Sequence, residues 1–269
     1  MGLRLRTTHV ADFPKLVEEY KPAELASPRR STVPLLAFWA HAASRFRELA
    51  PHIGLDPSDP VEFCFEFPVP VQEGKGKDSF TDLMILSSSF AVVIEAKYTE
   101  PEYETVEKWL SRPGRENRER VLGGWLSLIH RATGVHLEAA EVAKHPYQLI
   151  HRTASACSPP VKRRWVIYQV FSKAETDRSY YLDHLSGVYR LLRGQESLSF
   201  GILLSPLKGS AEYSKIEALW ERGDRGLSSE VRAGLLSEAL VEFRDAQFVK
   251  VGQSPAVTVT REGPLNDRI

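Results

Sequence analysis

Residues 79–97, Ser79-Phe80-Thr81-Asp82-Leu83-Met84-Ile85-Leu86-Ser87-Ser88-Ser89-Phe90-Ala91-Val92-Val93-Ile94-Glu95-Ala96-Lys97, decide the fold. Two β-type runs, 80–86 and 90–98, flank a serine triplet, the pattern of a tight antiparallel hairpin. With Ser88 and Ser89 as the central turn residues, paired positions sum to 177, which sets Asp82 across the ladder from Glu95. Opposed residues carry Cβ atoms about 4.5–5.5 Å apart on one face. Strand side chains repeat every two residues, so Lys97 shares that face with Glu95.

Upstream, residues 61–69 alternate Glu62, Cys64 and Glu66 against Phe63, Phe65 and Phe67, as a strand with one face on a core requires. A loop containing Gly74-Lys75-Gly76-Lys77 follows; centred near residue 74, it turns Glu66 toward Asp82. Before the strand, Leu35, Leu36, Phe38, Trp39, Ala42, Ala43 and Phe46 recur at helical spacing, which predicts one helix over 33–49. Downstream, 101–144 is polar and glycine-punctuated and reads as an insertion with a helix over 118–131. Helices are expected over 146–156, 179–193, 212–222 and 229–243, with strands over 164–171 and 198–204; past Val249 the signal fades. The reading is one α/β domain over 31–250, with an N-terminal extension 1–30, the insertion at about 101–144, C-terminal helices and a tail 251–269.

Of the 269 residues, 42% are hydrophobic and 26% charged, enough to bury one substantial core. Lys plus Arg and Asp plus Glu balance at 35 each, so any nucleic-acid surface must be a local patch rather than a global field. Cys64 and Cys157 are too few and too far apart for a disulfide framework or a zinc knuckle, which fits a reducing cytoplasm. Met1–Arg6 lacks the apolar core of a signal peptide, and the apolar stretch 33–43 is shorter than the roughly 20 residues that cross a bilayer; neither export nor a membrane is expected. The eight histidines show no metal-ligand spacing and no serine stands in a nucleophile elbow, which argues against zinc and serine-hydrolase chemistry.

Two carboxylates about 5 Å apart repel by roughly 3 kcal/mol at an effective dielectric near 20. A hard divalent cation such as Mg²⁺ relieves that repulsion, with Asp82, Glu95 and the backbone carbonyl of Ala96 as ligands and Glu66 as a candidate third carboxylate. Lys97 is then placed to position or help deprotonate a water and to offset charge developing on a phosphate. The chemistry that follows is hydrolysis of a phosphodiester.

An aspartate, twelve intervening residues and then Glu-Ala-Lys resembles the PD-(D/E)XK nuclease superfamily, whose core runs helix, three antiparallel strands, helix, strand. The resemblance covers roughly residues 31–205, and Glu95-Ala96-Lys97-Tyr98-Thr99-Glu100 is similar to members designated restriction endonucleases. It implies a restriction-endonuclease-like fold, Mg²⁺ or Mn²⁺ on Asp82 and Glu95, Lys97 as the catalytic lysine, and cleavage of DNA in restriction, defence or repair. Thr81 stands where the motif's nominal proline would be, a variable position. Two further Glu-x-Lys triplets, at Glu19 and Glu73, lie in polar or glycine-rich surroundings rather than at the end of an apolar strand.

Many members carry a glutamine in the helix after the third strand, which makes Gln148 a candidate for orienting water or phosphate. His151 and Arg152 share its helical face. With Lys75 and Lys77 they are candidates for contacting a nucleic-acid backbone, as are the Arg112–Arg120 group and Lys162-Arg163-Arg164. Double-strand cleavage would favour a homodimer, and any recognition or methylation partner would be a separate chain. The alternative is a catalytically silent module of the same fold that binds nucleic acid or protein.

Overall fold

The computed structural model describes residues 1–100, 103–172, 175–237, 240–243 and 246–252. The chain opens with β1 (Gly2–Leu5), β2 (Thr8–Val10) and α1 (Phe13–Glu19), then α2 (Thr32–Trp39) and α3 (Ala42–Leu49). An antiparallel meander follows: β3 (Glu62–Val69), β4 (Ser79–Leu86) and β5 (Phe90–Lys97). Next come α4 (Val106–Leu110), α5 (Arg115–Thr133), α6 (Ala139–Val142), α7 (Tyr147–Cys157), β6 (Arg163–Val170), α8 (Glu175–Leu191) and β7 (Leu198–Leu204). The chain continues through β8 (Leu207–Gly209), α9 (Ala211–Glu221), α10 (Ser228–Leu236), β9 (Val241–Phe243) and β10 (Gln247–Lys250). Part of the expected tail, 253–269, lies outside the described residues.

The mixed α/β architecture is built on an eight-stranded sheet in the order β2-β1-β3-β4-β5-β6-β7-β10, with β8 and β9 as a separate pair. Crossovers through α7 and α8 make β5, β6 and β7 parallel. Every residue of β5 is buried, because helices cover both faces. On one face Phe90, Val92, Ile94 and Ala96 join the residues of α1–α3, α9 and α10; on the other Val93 joins those of α4–α8. The hairpin register is the one the serine turn dictates: pairs from Leu83↔Ile94 to Leu86↔Ala91 all sum to 177, and Ser87 N donates to Phe90 O at 3.0 Å.

Several elements depart from the sequence reading for physical reasons. The helix expected over 33–49 is broken at His41, whose φ of −105° and ψ of 54° are not helical. Trp39 and Phe46 would stand about 10 Å apart along a straight helix, yet both rings pack 6.2 Å from Phe63. The break allows both contacts. Residues 1–30, read as an extension, run β1 parallel to β3 and so lengthen the sheet. Within 101–144, α5 buries Leu122, Trp125 and Ile129 against the α7 side of the sheet. The helix expected over 229–243 ends at Leu236, and Phe243 lies in β9, edge-on to Phe38 at 5.1 Å.

Candidate active site

The last hairpin pair is Leu83↔Ile94; one step further, the Asp82 side chain takes over, its Oδ2 accepting from Ala96 N at 2.8 Å. Asp82 thus caps the end of the ladder opposite Glu95. Glu66 is framed by the pairs Phe65↔Leu83 and Phe67↔Thr81, which sets it opposite Asp82, as the loop centre at residue 74 requires. Its φ of +50° twists β3 locally at that position.

Glu95 and Lys97 point to the α7 side of β5, each 2% exposed. One Glu95 oxygen accepts from Lys97 Nζ and the other from Nε of Arg152, which reaches across from α7. Burial alone would raise the Glu95 carboxyl, but Arg152 and Lys97 outweigh it and hold Glu95 below the ordinary carboxylate range. Burial would likewise strip the proton from Lys97, but Glu95 outweighs it and the ammonium persists. Among the described residues the other two acids form no ion pair with a cation. Burial and then the charge of Glu95 push Asp82 well above the ordinary range, and burial followed by Glu24 pushes Glu66 up to about 7.

The expected residues fall into two groups. Asp82, Glu95, Lys97 and Arg152 converge, with Glu66 one strand over; Ala96 contributes its N–H to Asp82. Lys75 and Lys77 are exposed and line a cleft of about 490 Å³ together with His151 and Arg152. Arg152 joins the groups: Nη1 donates to Ser79 Oγ at 2.7 Å, and that hydroxyl lies 2.9 Å from Nδ1 of His151. With its lone pairs facing Arg152, Ser79 donates to His151, which assigns the Nε2–H tautomer. Burial, then Arg152 and Lys97, keep His151 neutral. Gln148 is buried in α7 and its Oε1 has no hydrogen-bond partner among the described residues, so it is not on an exposed face.

Aromatic side chains that the sequence reading passed over complete the surroundings. Tyr168, level with Glu95 on β6, carries a buried hydroxyl without a hydrogen-bond partner among the described residues, and its ring lies 5.7 Å from Lys97 Nζ. The Tyr103 ring covers the same nitrogen at 4.3 Å. In the cleft, Trp109 stacks on Tyr147 at 3.7 Å with Arg118 over the indole. Asn117 of α5 holds Lys75 from both sides, accepting from its N–H and donating to its carbonyl, each at 2.7 Å. Gly74 makes this approach possible: it has φ +76°, and a Cβ there would lie 2.8 Å from Val121.

Among the described residues no three His, Cys, Asp or Glu side chains converge at coordinating distance. Asp82, Glu95 and a backbone carbonyl offer oxygen donors, the type that a hard divalent ion takes while keeping several waters. Both buried cations bond to Glu95, so Asp82 and Glu66 are the carboxyls whose ionisation a further cation would favour.

No curated protein and no solved structure matches the chain. Residues 7–205, about three-quarters of it, match one family model and span the cluster and both strands of the hairpin. The chain therefore belongs to the family described as a domain of unknown function (DUF6946).

Proposed function

We propose that the protein is a metal-dependent phosphodiesterase of the PD-(D/E)XK type, with a restriction-endonuclease-like core, that cleaves DNA. The observation that carries this reading is the Asp82–Ala96 hydrogen bond, because it ties an acid to the backbone between Glu95 and Lys97 at the end of an apolar strand. Mg²⁺ or Mn²⁺ held by Asp82, Glu95 and the Ala96 carbonyl, with Glu66 in reserve, would supply Lewis-acid stabilisation of phosphate charge and a more acidic water.

The chain's own groups have distinct tasks. Lys97 keeps its proton, so it orients water and offsets negative charge rather than acting as the resting base. Arg152 holds Glu95 in place and presents its Nη1 side to the cleft, where an incoming phosphate competes with Ser79 for the guanidinium. Lys75 and Lys77 border the same cleft and fit the backbone on either side of the scissile bond. Gln148 offers a buried acceptor for a proton of water, and neutral His151 is placed to take a hydrogen bond from a substrate hydroxyl or water through Ser79. An α/β protein with no helix long and apolar enough to cross a membrane among its described residues, working in the cytoplasm on DNA as a homodimer or beside a separate partner chain, is consistent with this reading.

The test is cleavage of single-stranded, duplex and branched DNA with Mg²⁺ or Mn²⁺, with and without chelator, by the parent and by Lys97→Ala. Metal-dependent cutting lost in the variant is expected; no cutting with any substrate, or a variant as fast as the parent, overturns it. A second reading, a silent module that binds nucleic acid or protein, is favoured by one observation: both Glu95 oxygens are engaged by buried cations. Calorimetry separates the two, since the silent module takes up no divalent metal at millimolar concentration.

A further inference from the structure

We propose that a second cleft, at the opposite end of the sheet, is a binding site for a phosphate group. The cleft is about 470 Å³ and is lined by His52, Arg163, Arg164, Trp165 and Lys250, with Glu196 the one acid among its described lining residues. Its place in the fold separates it from the acid cluster. Arg164 pairs with Ala91 at the start of β5, whereas Lys97 pairs with Val170 at the other end, six residues and so about 20 Å away.

The observation that points to a ligand is Arg164. It is 8% exposed, yet among the described residues its Nε has no hydrogen-bond partner and its Nη1 reaches the Lys162 carbonyl at 3.5 Å. A guanidinium cannot discard its charge, and burying one without an anion is costly. Neither Arg163 nor Lys250 relieves this: Arg163 donates to the Gly54 carbonyl, and Lys250 lies 5.5 Å from the Trp165 ring. Among the described residues none of the three cations forms an ion pair with a carboxylate. Three cations against one acid suit a dianion better than a carboxylate. The planar fork of arginine matches phosphate oxygens in pairs, and the volume leaves room beyond one phosphate for the ester it carries. That ester is either a free nucleotide or the backbone of a nucleic acid; the shared chemistry is the phosphate.

The test is calorimetric titration of the full chain in chelator with pyrophosphate, adenosine monophosphate and a short DNA duplex, so that no result depends on metal or on cleavage. Saturable pyrophosphate binding with Kd below about 1 mM is expected. The Arg163→Ala/Lys250→Ala pair should weaken it by about tenfold or more, while Lys15→Ala/Lys215→Ala, at exposed lysines that line neither cleft, leaves it unchanged. Arg164→Gln removes the buried charge; because that change reaches the interior, the Arg163/Lys250 pair is the decisive variant. A mononucleotide that binds more tightly than pyrophosphate identifies a nucleotide site. Duplex affinity that falls in the Arg163/Lys250 variant, without a mononucleotide preference, identifies the backbone. No saturable binding at about 10 mM, or binding indifferent to the Arg163/Lys250 pair, overturns the proposal.

Discussion

The two ends of β5 and β6 present opposite electrostatic situations across one apolar strand. At the Lys97 end the cations are spent on Glu95 and two further carboxyls go unpaired; at the Arg164 end the cations have no carboxylate partner among the described residues. A chain whose formal charge sums to zero thus holds two unlike sites about 20 Å apart along one strand: two carboxyls pushed toward their neutral form, and a group of cations. Overall charge says little about what such a protein binds; charge left unpaired at a buried position says more.

The contrast is broken most forcefully at the acid end. Lys97→Ala should lower metal-dependent cleavage by about 10²–10³-fold, the cost of removing one preorganised donor, measured under single-turnover conditions on protein whose circular dichroism matches the parent. Arg152→Met leaves Glu95 with one cation, and removing one partner of a buried pair costs about 3 kcal/mol or more. Urea unfolding reads this, and an unchanged midpoint would mean that the Arg152–Glu95 pair contributes nothing to the fold.

Acidity offers a subtler handle. Because the folded-state pKa of Glu66 is raised to about 7, this group binds more protons in the folded metal-free chain than in the unfolded one. Its contribution to stability is therefore full below the ordinary carboxylate range and declines as pH rises toward 7. Relative to Glu66→Gln, the thermal midpoint of the parent is expected to fall by roughly a few degrees across that window. A parent midpoint that rises relative to Glu66→Gln through the same window would contradict the raised pKa of this acid. The smallest effect belongs to the basic loop: Lys75→Ala should reduce the salt dependence of DNA binding by about one counterion, and an unchanged slope would remove that lysine from the interface.

What the sequence made legible follows from how each contact is closed. The register that brings Asp82 to the end of the ladder beside Ala96, and the place of Glu66, rest on local turns, at Ser88-Ser89 and near Gly74, which fix register by counting residues. Arg152 and Tyr168 reach the cluster through α7 and β6, whose position beside β5 depends on how a long crossover packs; counting does not reveal that Arg152 bonds to Glu95 or that Tyr168 lies level with it. The break at His41 was hidden for a different reason, since two helices in succession keep the same apolar period as one. Strands of three or four residues such as β1, β9 and β10 are too short for alternation to stand out.

One consequence follows from the way the side chain of Asp82 substitutes for a missing rung of the hairpin. The same carboxyl that a cation would want also carries a mechanical duty through Oδ2, so loss of the residue confounds chemistry with architecture. Asparagine retains a carbonyl acceptor for Ala96 N while discarding the negative charge. Comparing Asp82→Asn with Asp82→Ala therefore divides the residue's two occupations: whatever both variants lose belongs to its charge, and whatever alanine alone loses belongs to its role as a strut.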